Sequence, residues 1–126
     1  MRKIVSLFLV QIALAAGLVS GQSVDQFDAW MRTIDEKNQS VQRNLAARDV
    51  SAATADAKTL QETFKLVEGF WTQRNAADAV ELSQRAQQRA GEVVKSATAK
   101  DFEAAAAQSI KIAETCTACH RLYRPL

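Results

Sequence analysis

Proline and glycine are nearly missing from this 126-residue chain, which holds one Pro and four Gly. A β-sandwich or barrel needs turn residues every ten positions or so, and that requirement excludes both. Histidine occurs once and cysteine twice, too few to supply the four ligands of a closed structural zinc site. Charge of one sign is scarce as well. The 16 Lys+Arg against 14 Asp+Glu leave a formal +2, with no basic block to follow a phosphate backbone, so nucleic acid is not an expected partner. What the chain has instead is alanine, 23 residues of it, within a composition that is 48% hydrophobic. That apolar share can form a core and argues against disorder. The length suits one domain.

The longest apolar stretch, Ile4 to Val19, comes after the basic pair Arg2-Lys3 and is interrupted by Gln11. Sixteen residues fall short of the roughly 20 that span a bilayer. Val19 and Gly21 stand at the small-residue positions before Gln22. This layout predicts a cleavable secretory signal peptide over residues 1–21, cut after Gly21, and hence a periplasmic location with no stable membrane span after cleavage. Removing Arg2 and Lys3 with it leaves 14 residues of each sign and a neutral mature chain over residues 22–126.

Four amphipathic segments occupy that remainder. From Val24 to Ala47, the residues Phe27, Trp30, Met31, Ile34, Asn38, Val41 and Leu45 fall on one stripe at steps of three and four, the mark of a helix with one buried face. Arg48 to Ser51 interrupt it, and Asp49 or Ser51 can cap the next helix. A second stripe, Ala53, Ala57, Leu60, Phe64, Val67, Trp71, is a heptad seam suited to near-parallel helix packing. Asn75 with Asp78 reads as the N-cap of a third helix through Ala79, Ser83, Ala86, Ala90, Val93 and Ala97. After a break at Thr98 to Asp101, a fourth runs from Phe102 to Tyr123 through Ala105, Ser109, Ile112, Cys116 and His120. No segment alternates with period two. The expected fold is all-α, an antiparallel up-down-up-down four-helix bundle. Its alanine seams are compatible with close helix packing or with a core opened to hold something bulky.

Cys116-Thr117-Ala118-Cys119-His120 is a C-x-x-C-H run, the attachment sequence of c-type haem. Each thiol can add across one haem vinyl group to give a thioether, and the adjacent imidazole can meet the iron. On a helix these positions are i, i+3 and i+4, which share a face. Chance placement of two Cys and the sole His in this order comes to roughly 1 in 5,000. A thioredoxin-like dithiol would open a helix after a strand rather than close the last helix of an all-α chain. A disulfide at i, i+3 within a helix would be strained, and a Cys-Cys-His metal site lacks a fourth protein ligand.

A four-helix bundle with C-x-x-C-H close to its C-terminus, continuing into Arg121-Leu122-Tyr123-Arg124, resembles class II cytochromes c, meaning cytochrome c′ and its low-spin relatives of the c-556 type. The likeness covers the mature chain in architecture and about nine residues in motif. It implies a periplasmic protein with one covalent haem c, His-ligated from the fourth helix and covered on its other face by the first. It also implies redox partner proteins in some members, NO or CO binding in others, and pairing into a homodimer through the first two helices in some. An Arg four residues after the ligating His flanks the proximal side in cytochromes c′, which implies such a place for Arg124.

The sixth iron position separates a carrier from a gas binder. With no second His, and Met31 the one Met left after signal removal, the distal side is held by Met31 or by no bonded side chain. Met/His ligation raises the potential and suits an electron carrier. Met31 as an unbonded filler leaves a five-coordinate, gas-binding iron. Arg32 is a candidate partner for a haem propionate. Phe64, Phe70, Trp71 and Trp30 are expected in the core or haem pocket, and mid-helix Gly69 is compatible with a close helix approach or with neutral tolerance. No nucleophile–base pair or acidic dyad stands out, so the expectation is a carrier and not an enzyme.

Overall fold

The computed structural model describes residues 23–123, so the expected signal segment 1–21 and Arg124 lie outside the described residues. Four helices come one after another: α1 (Val24–Ala46), α2 (Val50–Gln73), α3 (Ala77–Thr98) and α4 (Phe102–Tyr123). Each packs on the next, and α4 closes back on α1. The result is the antiparallel four-helix bundle expected from the stripes, with no strand among the described residues. None of these helices is long and apolar enough to cross a membrane.

Three connections of one design produce the reversals. At the first, Arg48 takes a left-handed φ of 57°, its N–H reaches Leu45 O, and the next N–H, from Asp49, reaches Asn44 O. Asn75 and Lys100 repeat the pattern with φ of 55° and 60°, pairing to Thr72 and Ala97, while Ala76 and Asp101 reach Trp71 and Ser96. These are Schellman closures, which occupy the last orphan carbonyls of each helix. The residue completing each closure then starts the next helix. Asp49 Oδ1 accepts from Ala52 N at 3.0 Å and Asp101 Oδ1 from Ala104 N at 3.1 Å. Ser23 Oγ serves α1 in the same way.

One expectation fails here. Asn75 does not cap α3: it is the left-handed residue ending α2, and the capping position belongs to Ala76, which offers no side-chain acceptor. The physical reason is that the Schellman closure of α2 claims Asn75, and Asn tolerates φ > 0 better than most residues. Asp78 instead accepts from its neighbour's N–H, Ala79, at 2.9 Å.

Inside the bundle, Ala79, Ser83, Ala86, Ala90, Val93 and Ala97 of α3 are all buried, as the stripe predicts. A face so poor in bulk lets α2 approach closely, and α2–α3 is the most extensive pair in the fold. A Cβ at Gly91 would stand 3.2 Å from the side-chain amide of Gln61, and no such neighbour crowds Gly69. Bulk enters from α1 and α2: Ile34, Val41, Leu45, Leu60, Phe64, Val67 and Phe70 are buried. The α1–α4 seam is the least extensive of the four, and the groove of about 420 Å³ beside Leu45, Phe102 and Ala106 opens on it.

Ala76→Asp supplies the acceptor that α3 lacks. Ala76 has φ −92° and ψ 79°, close to the −86° and 89° of the capping Asp49. It should stabilise the protein by about 1 kcal/mol, raising Tm by roughly 4–8 °C. Asp101→Ala should lower Tm by a similar amount, and thermal unfolding monitored by circular dichroism checks both.

Candidate functional site

Cys116, Cys119 and His120 stand on the last two turns of α4. The stripe leading to them includes two consecutive steps of four, each overshooting a full turn by about 40°. The stripe therefore rotates off the core axis as it rises. Ile112 and Ser109 are fully buried, Cys116 is half-buried and His120 is exposed, while Thr115 joins the buried set. Both cysteines are free thiols. The rotation turns Cys116 and His120 away from the α3 side, where Thr115 and Ala118 line a groove with Leu82 and Arg89.

Two contacts mark the register between α1 and α4: Arg48 lies over the Phe102 ring at 5.3 Å, and Leu45 and Ala106 line one groove. Each step down α1 matches a step up α4. Carried on to the other end of the pair, the same register puts Met31 and His120 at matching heights. Met31 is half-buried and packs on the core, as Cys116 does. Arg32 beside it is exposed.

The same end of the bundle is floored by aromatic rings. Phe27 of α1 stands 4.2 Å from Phe70 and 5.5 Å from Trp71, and Trp71 lies 4.5 Å from Tyr123 of α4. Arg74 lies over the Phe70 ring at 3.4 Å. Phe70 and Phe64 are buried, while Trp71 and Trp30 are half-buried. Trp71 Nε1 is nevertheless buried, and it has no hydrogen-bond partner among the described residues. Tyr123 donates its hydroxyl proton to Asp78 Oδ1, tying the end of α4 to the start of α3. The sequence carries no signal for that bond, because the two residues are 45 apart and meet only through the bundle.

Both thiols are raised above their ordinary range. Burial, and then the neighbouring Cys119, push the Cys116 thiol up to about 11. Burial also raises Cys119. Reactive dithiols have depressed values, usually at a helix N-terminus, whereas these lie at a C-terminus, whose dipole disfavours a thiolate. Among the described residues no three His, Cys, Asp or Glu converge as a metal site. A haem c makes different demands: two protonated thiols and an imidazole on one helix face, and a group level with the imidazole on the facing helix. Cys116, Cys119, His120 and Met31 meet them, and the unpartnered Trp71 N–H adds a donor at the same end. The donor set fits. The α1–α4 groove beside Leu45 and Phe102 lies at the opposite end and includes none of these residues.

No family model, curated protein or solved structure matches this chain.

The ionisation pattern can be checked in two ways. In chain without haem, Cys119 should be alkylated by iodoacetamide before Cys116 near pH 8, because Cys116 carries the larger burial effect; mass mapping reads the order. The bond from Tyr123 is the main cause holding the Asp78 carboxyl below its ordinary value and raising the Tyr123 phenol. It contributes fully above the unfolded carboxylate pKa of about 3.9 and fades as pH falls through the lowered native value. It also contributes fully below the unfolded phenol pKa of about 10 and fades as pH rises through the raised native value. Tyr123→Phe should move the Asp78 titration upward in a carboxyl NMR experiment.

Proposed function

We propose that this chain is a periplasmic class II-type cytochrome c with one covalent haem, carrying single electrons. The observation that supports it best is the run Cys116-Thr117-Ala118-Cys119-His120 on the last turns of α4. Cys116 and Cys119 would hold the group, each S–H adding across a vinyl bond so that sulfur joins one carbon and hydrogen the other. When bound, haem supplies an iron that exchanges one electron between ferric and ferrous states.

The chain's own residues then divide the work. His120 offers an imidazole lone pair as proximal ligand, and the exposed position of its turn leaves one edge of the site accessible to a redox partner protein. Met31 would offer a thioether sulfur, a ligand that would favour reduced iron and raise the potential. The exposed Arg32 would bring positive charge to a haem propionate, and Arg124, beyond the described residues, would flank the proximal side as in the family it resembles. A neutral mature chain predicts weak long-range steering, so docking would depend on short-range fit.

A second reading is favoured by one observation: Met31 already packs on the hydrophobic core, where it acts as filler. The iron would then be five-coordinate and would bind NO or CO.

The protein produced with a cytochrome c maturation system should keep its haem through acid–acetone extraction, and Cys116→Ala with Cys119→Ala should lose it. Reduced wild type should be low-spin and refuse CO at neutral pH, while Met31→Ala should become high-spin and bind it. A high-spin wild type that takes up CO rapidly selects the gas-binding reading. Haem lost to the extraction from wild type overturns both.

A further inference from the structure

We infer that Trp71 is a cofactor-binding residue, its indole N–H donating a hydrogen bond to a propionate carboxylate of the haem. The inference rests on the covalent-haem reading and deepens it. Trp71 Nε1 is buried with no partner among the described residues. Native structures leave few such donors, because a buried N–H without an acceptor forfeits its hydration. An indole N–H can only donate, so whatever completes it must bring an acceptor.

No acceptor lies within hydrogen-bonding distance of the Trp71 N–H among the described residues. Phe27 and Phe70 present hydrocarbon rings, at 5.5 and 5.0 Å. Tyr123, stacked at 4.5 Å, donates its hydroxyl proton to Asp78, and its oxygen does not meet the indole N–H. Yet the indole stands where the two ligand-bearing helices meet. Phe27 lies one turn before Met31 on α1, and Tyr123 lies one turn after Cys119 on α4. A group seated in the α1–α4 seam at the level of Met31 and His120 therefore has Trp71 at its end.

Haem brings two carboxylates as its peripheral acceptors, and a bond from a neutral donor to an ionised acceptor is among the stronger kinds. Trp71 can satisfy a propionate inside the aromatic floor without burying a second charge. That role complements surface arginines, which would meet a carboxylate in water.

Trp71→Phe keeps a ring and removes the donor. In holo-protein the resonance Raman propionate bending band should move to lower frequency in this variant, and the indole N–H signal that disappears from the NMR spectrum identifies Trp71. In wild-type holo-protein that N–H should exchange with deuterium at least about tenfold more slowly than in the haem-free Cys116→Ala, Cys119→Ala chain, as a bond to a charged acceptor predicts. Covalent haem with an unmoved propionate band in Trp71→Phe, or equal indole exchange with and without haem, overturns the inference and leaves the cytochrome reading standing. A wild type that attaches no haem overturns both.

Discussion

The small inward face of α3 governs this bundle. Of its six buried positions only Val93 is larger than serine or alanine, so the helix contributes little volume and draws its neighbours close instead. Dispersion contacts fall off steeply with distance, and a face without bulk gains them only by near approach of the backbones. That demand makes α2–α3 the most extensive pair and α1–α4 the least. The two helices carrying the thiols and the methionine are therefore the neighbouring pair least committed to one another.

The distribution of bulk continues the same logic. With α3 giving little, the core is filled from Ile34, Val41 and Leu45 on one side and Leu60, Phe64 and Val67 on the other. The aromatic floor of Phe27, Phe70, Trp71 and Tyr123 collects at a single end. Polar groups hold the outer edges. Asp56 gathers Ser40 at 2.5 Å, Asn44 at 3.0 Å and Lys37 at 3.3 Å across α1 and α2. Glu68 accepts from Gln84 at 2.8 Å and Gln87 at 2.6 Å, bonds that hold its carboxyl below the ordinary range. These clamps lie on the α1–α2 and α2–α3 pairs.

Much of the fold was legible because a helix writes its buried face into the chain every three or four residues. The third stripe matched the buried set residue for residue, and Asp49 capped α2 as read. Asn75 was misread because a residue between two helices can end one or begin the next, and local sequence does not say which closure wins. His120 was placed on the inward stripe, and its exposure came from the angular drift of consecutive four-residue steps. Within the candidate site, Cys116, Cys119 and His120 were readable from adjacency alone. Neither the Asp78–Tyr123 bond nor the orphaned indole of Trp71 had any local signature.

The sequence by itself determined the helix count, the turns and the grouping of two thiols with one imidazole, because each depends on residues within about four positions of one another. The tertiary structure decided the rest: which seam stayed least filled, that Met31 came level with His120, and that burial raised the thiols rather than activating them. Those outcomes depend on how far apart helices settle, in what register, and how deeply each side chain is buried as a result. All three are set by the summed packing of all four faces, which no single segment contains.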